Sequence, residues 1–482
     1  MSTATSTIVD RDPTATPTVR IFESESAPAD PDALAILRAG VSSANLAAPA
    51  AVLPDFHLKH DKEMPSSIAV ATRDTIQSTL TCCSLNCGMT LVALGLERPS
   101  RDRVHQFYRG VLGSLPYPPS YRRVLTQEEV VGYAAQGAVS ACERLELDPS
   151  VLDGIEEGGC LSVEPFGGRE RVRRELPWLV KELSRIRFGT IGPSNHFIEL
   201  QEVEEVLDPD AAVLLGIEAG TVTLQYHGGG GTLPGQLGVL FGARKRYTRP
   251  LRAQMAVQKP LYHLARARSL TELRRRASLY FAGGSLPVER DSAEGDRLML
   301  ATVMAMNYGF AFRLRTYATL TTLARRSFGA TPARLVVDAP HNTIYEEEIA
   351  GERAIVHRHN AARAYPASRM THHELFGRIG QPVLLPGTSR TSSYLCVAAE
   401  GAHRSLYSAS HGAGTTVAQF AETGLSAQDP QARSTLRFRY SGEEPAEVAH
   451  LDDRGVDEAL GILRSEDVIR PVARLRPFAV LN

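Results

Sequence analysis

Residues suited to nucleophilic and metal chemistry are spread over most of this chain, and their spread restricts how the chain can fold. Cys87 and His411 mark the two ends of the set, and further histidines lie between them at positions 196, 227 and 341. Cysteine and histidine are soft and borderline metal ligands. Because these residues can meet only if distant segments pack together, we expect one large intertwined domain rather than a string of modules.

The composition is that of an ordinary globular chain. The chain has 482 residues, of which 43% are hydrophobic, and its formal net charge is -1. Its six cysteines are too few for a disulfide scaffold in a chain of this length. The sequence shows no secretory signal and no stretch of about 18 apolar residues that could span a membrane. We therefore expect a cytoplasmic protein with no membrane partner.

Three local clusters of arginine interrupt this balanced charge. They run from Arg169 to Arg174, from Arg244 to Arg249 and from Arg266 to Arg276. Solvated helix faces are one explanation for such clusters, and contact with RNA is the other. The sequence leaves both open.

Periodicity and breaker residues divide the chain into helices and strands. Residues 1–20 are rich in Ser, Thr, Ala and Pro and predict a disordered tail, followed by a single domain over residues 21–482. Helical periodicity is expected at residues 32–38, 127–147, 170–183, 260–280 and 296–325. Strands are expected at residues 19–22, 68–71, 89–94, 198–207, 211–217, 222–226, 335–338, 354–357, 383–385 and 393–398.

Short motifs surround the candidate residues. Glycine follows His411 in the run His411-Gly412-Ala413 and leaves its ring accessible, while His227 precedes four glycines that allow close approach of a ligand. The other candidates lie in Asn86-Cys87-Gly88, Asn195-His196-Phe197 and His341-Asn342. Together these residues favour metal-assisted nucleophilic chemistry on a phosphate.

The order and spacing of these motifs resemble the RtcB-type RNA ligases. The motifs that carry the resemblance are, in order, Pro54-Asp55-Phe56-His57, Asn86-Cys87-Gly88, Asn195-His196-Phe197-Ile198-Glu199, His227, Asn307-Tyr308 to Arg313, His341-Asn342, Gly380 to Gly387, Ser393-Tyr394, Ser410-His411-Gly412-Ala413-Gly414 and Ala473 to Pro477. The resemblance implies an α+β fold, with central β-sheets flanked by helices in one large domain.

The resemblance also implies an activity that depends on GTP and Mn²⁺. A histidine would attack the α-phosphate of GTP and keep GMP. The GMP would pass to an RNA 3′-phosphate, made by opening a 2′,3′-cyclic phosphate, and the 5′-hydroxyl of a second RNA would then displace it. The expected partners are RNA carrying these ends, GTP and an activating accessory protein.

The resemblance assigns roles to individual residues of this chain. His411 would be the nucleophile. One or two Mn²⁺ ions would be held by Cys87, His196, His227 and His341. The guanylate pocket would be formed by Asn195, Glu199, Ser393, Ala413 and Gly414. Cys83 is a further candidate to assist the metal.

Several positions depart from the family pattern. Ser84 stands where the family has an aspartate, Thr415 where it has an arginine, and the chain ends at Asn482 in place of a lysine. These replacements keep two other functions open. One is a binding protein that recognises metal, nucleotide or RNA ends without joining them, and the other is a metal-dependent phosphoesterase or nucleotidyl transferase with an altered substrate. Arg390 and His359 are candidates to compensate for the lost cations.

Overall fold

The computed structural model describes residues 18–59, 62–119, 122–186, 188–193, 195–242, 248–281, 286–329 and 332–482. The predicted disordered tail therefore falls, for residues 1–17, outside the described residues. Within the described segments, no helix is both long and apolar enough to cross a membrane.

Helices and strands are mixed along the chain, as an α+β fold requires. The helices are α1 Pro31–Val41, α2 Arg101–Ser114, α3 Gln127–Arg144, α4 Gly168–Glu175, α5 Trp178–Ser184, α6 Pro209–Leu215, α7 Thr232–Phe241, α8 Arg249–Lys259, α9 Leu270–Phe281, α10 Ala293–Phe328, α11 Phe376–Ile379, α12 Gly414–Glu422 and α13 Arg454–Ser465. A π-helical turn, Pro260–Leu264, follows α8.

The strands lie throughout the chain. They are β1 Val19–Ile21, β2 Ala50–His57, β3 Ser66–Thr72, β4 Thr75–Ile76, β5 Gly88–Glu97, β6 Phe197–Val206, β7 Thr221–Gly228, β8 Val288–Glu289, β9 Arg334–Pro340, β10 Asn342–Ile349, β11 Glu352–His359, β12 Ala361–Arg363, β13 Pro382–Leu385, β14 Ser393–Ala398, β15 Ser408–Ser410, β16 Ser434–Phe438, β17 Ala446–Ala449 and β18 Ile469–Leu481.

Two sheets dominate the fold. The larger has the order β13-β14-β18-β6-β7-β5-β9, and β16 and β17 extend it from β18. The smaller has the order β1-β2-β3-β11-β10. Some neighbours, such as β3 with β11 and β6 with β18, are far apart in sequence, so the chain crosses between the sheets repeatedly. This interleaving confirms the predicted α+β architecture.

The long helix α10 packs across the large sheet through an almost entirely buried face. Its residues belong to the largest hydrophobic cluster of the described chain, together with residues of α3 and β5. Arg313 of α10 is also buried, and its guanidinium forms an ion pair with Asp338 of β9. A buried ion pair fixes the position of α10 against the sheet, because an unpaired charge there would be costly.

The strand predicted at residues 211–217 is wrong, since these residues lie mainly in α6. The carboxylate of Asp208 accepts a hydrogen bond from the Ala211 amide at 3.1 Å, and Pro209 occupies the first helical turn. Both are signals of a helix start. Gly216, with φ of 71°, then ends the helix. The apolar run was too short for its composition to separate a strand from a helix.

Two predicted helices are each interrupted. Pro177 separates α4 from α5, since a proline cannot donate the backbone hydrogen bond that would continue α4. Residues 265–269 separate the π-helical turn from α9. Both interruptions help to shape a cleft described below.

Candidate functional site

Strand pairing brings the predicted metal ligands to one edge of the large sheet. β7 lies between β6 and β5, and β5 pairs in turn with β9. Met89 is opposite His227, and Gly88 is opposite Pro340. Because all these pairs are antiparallel, the starts of β6 and β5 lie beside the ends of β7 and β9. The residues at this edge are Cys87, His196, His227 and His341.

The side chains of these four residues form a compact cluster. The Cys87 Sγ lies 3.4 Å from the His196 Nε2 and 3.3 Å from the His227 Nε2. Ligand atoms of Cys87, His227 and His341 all lie within 4.8 Å of one another. Cys87, His227 and His341 are buried, and His196 is half-buried. The structure thus brings together every metal ligand predicted from the sequence.

The ionisation of the cluster suits a metal ion. The His227 Nδ1 lies 2.8 Å from the Asn195 carbonyl, so Nδ1 donates a proton there and the Nε2 lone pair faces Cys87. Burial holds the pKa of His227 and of His341 well below the ordinary value. Burial also raises the pKa of the Cys87 thiol to about 12, and a coordinated cation would reverse this shift by stabilising the thiolate. A thiolate with neutral imidazoles fits a borderline divalent cation.

Contacts with α10 fix the segment that carries Cys87. The Arg313 Nη1 donates to the Asn86 carbonyl at 2.6 Å, and its Nε donates to Asp338 at 2.8 Å. A Cβ at Gly88 would lie 2.7 Å from the Ala339 carbonyl and 2.9 Å from the Arg313 Cζ. Only glycine fits there, so the close approach of β5, β9 and α10 sets the position of the thiol.

His411 faces this cluster from the turn between β15 and α12. Its ring centroid is 4.7 Å from that of His341 and 6.4 Å from that of His227. The His411 Nδ1 is buried and has no hydrogen-bond partner among the described residues. Burial, and then the positive charge of Lys59, lower the pKa of His411 to about 3. Its imidazole is therefore neutral at physiological pH and keeps a lone pair for attack.

The start of α12 is held by β2. The Asp55 carboxylate accepts a hydrogen bond from the Thr415 amide, and the Thr415 hydroxyl lies 3.1 Å from the His57 Nδ1. A carboxylate at a helix N-terminus satisfies a free amide and the helix dipole. Thr415, which stands where the family has an arginine, thus anchors the helix that follows His411.

A cavity of about 380 Å³ joins His411 to the predicted nucleotide-binding residues. Glu199 lies on its wall with 4% of its surface exposed, and its carboxylate accepts a hydrogen bond from Gln201 at 2.8 Å. Burial raises the pKa of Glu199 to about 8. The other predicted residues on the wall are Asn195, Ser393 and Gly414.

Ala413 differs from the other predicted nucleotide-binding residues. Its methyl group belongs to a hydrophobic cluster that contains residues of β2 and α13. Its amide donates to the Pro386 carbonyl at 2.9 Å. Ala413 therefore holds the turn beside His411 against the segment after β13.

Other residues of the cavity were given no role from the sequence. Lys59 lines the cavity, and so do Asp55 and His57 of the early Pro-Asp-Phe-His motif. Lys59 lies two residues beyond the Pro54-Asp55-Phe56-His57 motif, and that proximity was the only signal for it. Asn482, at the position of the family's terminal lysine, also lines the cavity.

The cysteine expected to assist the metal is in the hydrophobic core instead. Cys83 belongs to the large hydrophobic cluster and packs against Gly238 of α7. Its neighbour Cys82 has the more unusual environment. Burial would raise the pKa of the Cys82 thiol, but the neighbouring His359 outweighs burial and lowers the pKa of this thiol to about 6. A side chain one position away can thus face the opposite way in an irregular segment.

Comparison with known proteins agrees with this arrangement. The family model described as tRNA-splicing ligase RtcB matches residues 39–482. The tRNA-splicing ligase RtcB of Pyrococcus horikoshii is 28% identical over 426 residues, which cover 82% of this chain and 44% of that protein. The RNA-splicing ligase RtcB of Mycobacterium tuberculosis is 30% identical over 377 residues, which cover 74% of this chain and 76% of that protein.

The coverage of these relatives varies. The chain spans less than half the length of the Pyrococcus relatives, 42% for Pyrococcus abyssi and 39% for Pyrococcus furiosus. It spans 79% of the Thermococcus kodakarensis tRNA-splicing ligase RtcB, at 27% identity. The family match covers nearly the whole described chain and every residue of the metal cluster and the cavity. The chain belongs to the RtcB family.

Proposed function

We propose that this protein is an RNA ligase that joins a 3′-phosphate or 2′,3′-cyclic phosphate end of RNA to a 5′-hydroxyl end, using GTP and Mn²⁺. One observation carries the proposal. A neutral, partly accessible imidazole, that of His411, lies next to a Cys/His cluster suited to a metal and opens into the cavity that holds Glu199. The residues proposed as nucleophile, as metal ligands and as the wall of a nucleotide site are therefore neighbours, which supports the proposal.

The first step follows from the ionisation of His411. A lone pair of the neutral imidazole attacks the α-phosphorus of GTP. The bond from that phosphorus to the bridging oxygen breaks, and pyrophosphate leaves with the bonding electrons. The ring loses its N–H proton, which leaves GMP on histidine. Burial favours this step because a protonated ring has no lone pair to offer.

The later steps transfer the nucleotide to RNA and release it. A 3′-phosphate oxygen attacks the phosphorus of the histidine-bound GMP, and the imidazole leaves and regains a proton. The 5′-hydroxyl oxygen of the second RNA then attacks the activated 3′-phosphorus, and GMP leaves. A cyclic 2′,3′-phosphate end must first be opened by water. Each transfer replaces one bond to phosphorus with another, so no oxidant or reductant is needed.

Cys87, His227 and His341, with His196 beside them, would hold the Mn²⁺. A bound divalent cation would neutralise charge on the triphosphate and on the leaving group. The chain's own contribution is to keep the imidazoles neutral by burial and to fix the thiol through Gly88 and Arg313.

Lys59 is proposed to stabilise the negative charge of the phosphates. It lines the cavity, and its charge is felt at His411. Its ammonium group makes no ion pair within the described part of the chain. Among the described residues that line the cavity, it is also the only lysine or arginine. A positioned cation is worth most where water is excluded and charge moves between oxygens.

Glu199 is proposed to recognise the base. A carboxylate can accept two hydrogen bonds, and the guanine edge presents two neighbouring N–H donors. Since burial keeps the free carboxyl protonated up to about pH 8, binding of guanine would release its proton. We also propose a reducing compartment such as the cytoplasm, which agrees with six free cysteines.

The test is intact-mass spectrometry after incubation with GTP and Mn²⁺, with ATP in parallel. We expect a GMP-sized adduct and RNA joining by the wild type, and the loss of both in His411→Ala. The matched control is His403→Ala, because His403 is an exposed histidine of another segment. A folded, metal-loaded wild type without any adduct would refute the proposal, and an adduct that persists in His411→Ala would refute the assigned nucleophile.

A further inference from the structure

A second cavity, of about 590 Å³, lies outside the site and shares no lining residue with it. It is formed by the last turn of α4, the segment between the π-helical turn and α9, the body of α9 and the first turn of α10. We call it the arginine cleft, after the six arginines that line it: Arg171, Arg174, Arg266, Arg268, Arg276 and Arg297. Two of the arginine clusters seen in the sequence meet here.

The floor of the arginine cleft holds its guanidinium groups in fixed positions. Arg276 and Arg297 are only 7% and 4% exposed. The Arg276 Nε donates to the Glu294 carboxylate at 2.6 Å, and the Arg297 Nη2 donates to the Tyr262 carbonyl at 2.7 Å. The Arg297 guanidinium also lies 4.2 Å from the centre of the Tyr262 ring. Contacts within the protein therefore hold both guanidinium groups in place.

The rim carries positive charge that the protein does not neutralise. The side chains of Arg174 and Arg268 are exposed and make no hydrogen bond or ion pair with described residues. Among the described residues, the Arg171 guanidinium donates only to the Phe166 carbonyl, at 2.9 Å. The carboxylates that line the cleft belong to Glu175 and Glu272, and Glu294 lies behind them. The six guanidinium groups thus face three carboxylates.

On the opposite side of α4, the arginines are paired with a carboxylate, so the excess of positive charge is confined to the cleft. Arg173 forms an ion pair with Glu128, in which the Arg173 Nη2 lies 2.8 Å from a carboxylate oxygen. Arg169 approaches the same carboxylate at 3.7 Å. On a single short helix, the arginines that face α3 are therefore neutralised and those that face the cleft are not.

We propose that the arginine cleft binds the phosphodiester backbone of RNA. Guanidinium groups match phosphate oxygens through paired N–H donors, and each neutralised phosphate releases counterions. No aromatic side chain lines the cleft in the described chain, so the contacts are with the backbone rather than with stacked bases. The choice of RNA over another polyanion rests on the proposed function. The cleft would hold RNA at a distance from the ends being joined.

The test measures RNA binding without chemistry. A fluorescent single-stranded RNA with a 3′-hydroxyl end, which cannot be joined by the proposed reaction, is titrated with the full chain between about 50 and 200 mM KCl. The test variant is Arg174→Gln/Arg268→Gln, and the matched control is Arg173→Gln on the same helix. All three side chains are exposed, and thermal melting checks that the variants fold.

We expect the double variant to bind RNA roughly tenfold more weakly, because two phosphate contacts are lost. The slope of log K against log salt should fall in magnitude by roughly 1.4. Arg173→Gln should stay within about twofold of the wild type, since its charge is already paired. Unchanged affinity and slope in the double variant would overturn the proposal. A second result would also overturn it. If the wild type binds polyglutamate more tightly than RNA, and the double variant loses the binding of polyglutamate, the cleft would be assigned to an acidic protein.

Adduct formation with GTP, measured on the same samples, separates this proposal from the proposed function. Both variants should form the GMP adduct like the wild type, because the cleft shares no residue with the site. If no protein forms an adduct but the double variant still loses RNA affinity, the ligase assignment fails and the RNA-binding cleft stands.

Discussion

The site and the arginine cleft both collect basic side chains, but burial affects the two in opposite ways. In the site, burial keeps the histidines uncharged, and His411, His227 and His341 all have lowered pKa values. In the cleft, Arg276 and Arg297 are buried as cations, because a guanidinium does not lose its proton in proteins. A neutral histidine can thus offer a lone pair to a metal or to phosphorus, whereas an arginine can offer only fixed charge to an anion. Burial of basic residues therefore indicates a reactive site when burial can make them neutral, as it does for histidine, and not when they stay charged, as arginine does.

The largest effect should come from removing the thiol of the site. Cys87→Ala removes the residue that contacts both His196 and His227. We expect loss of most of the bound Mn²⁺ and a fall in adduct formation of more than about a thousandfold, as for loss of a central catalytic group. Elemental analysis and the adduct assay measure the two effects. Cys396→Ala is the control, since Cys396 is equally buried but lies in β14. Unchanged metal content in Cys87→Ala would contradict its role as a ligand.

The support of the site should be the next most sensitive feature. Arg313→Met leaves the Asp338 carboxylate buried without its partner, and we expect a loss of about 3–5 kcal/mol in the free energy of unfolding. Urea denaturation measures this value. Arg439→Met, which breaks an exposed ion pair with Glu443, should cost no more than about 1 kcal/mol. Equal losses in the two variants would show that the buried ion pair contributes no more to the free energy of unfolding than the exposed one.

A smaller effect is expected from Lys59, the cation of the site. Lys59→Met should slow adduct formation by about a hundredfold, because one preorganised charge facing the phosphates is lost. Lys59→Arg keeps the charge and should recover much of the rate. The measurement is a single-turnover time course with GTP. A methionine variant as fast as the wild type would leave charge stabilisation to the metal alone.

The smallest effect concerns Glu199 and depends on pH. Its carboxyl has a folded-state pKa of about 8, raised by burial from 4.5. The stability it contributes is therefore full below about pH 4.5 and is lost as the pH rises to 8. Glu199→Gln removes this titration, so between about pH 5 and pH 7 we expect the variant to gain about 1–3 kcal/mol in the free energy of unfolding relative to the wild type. Urea denaturation at both ends of the range, without nucleotide, measures the difference. A constant difference would mean that Glu199 is ionised in the folded protein.

The sequence predicted the site better than its surroundings. Short motifs located Cys87, His196, His227, His341 and His411, because those residue types are rarely grouped with glycine and asparagine for packing alone. The structure places all five together. The roles of these five residues stay predictions.

Features that depend on long-range packing were harder to predict. Lys59 could not be assigned to the cavity, since its place depends on how β2 meets α12. Cys82 and Cys83 are adjacent, and periodicity cannot show which thiol faces His359 in an irregular segment. The two halves of the arginine cleft lie about ninety residues apart in sequence. The hydrogen bond from the Arg266 side chain to the Glu175 carbonyl, for example, joins residues 91 positions apart. The apolar run at 211–217 is short, and the cap that makes it a helix rather than a strand comes from Asp208, outside the run.

The strand order at the edge that carries Cys87, His196, His227 and His341 has a consequence for how the proposed metal would be acquired. Cys87 is separated from His196 by 109 residues and from His227 by 140 residues. No short segment of a nascent or unfolded chain can therefore present the full ligand set, and contacts of this sequence separation form late and slowly. Metal that binds only the folded chain shifts the folding equilibrium by mass action. Metal uptake should thus report the completion of folding, and a protein stalled before β9 pairs with β5 would remain free of metal.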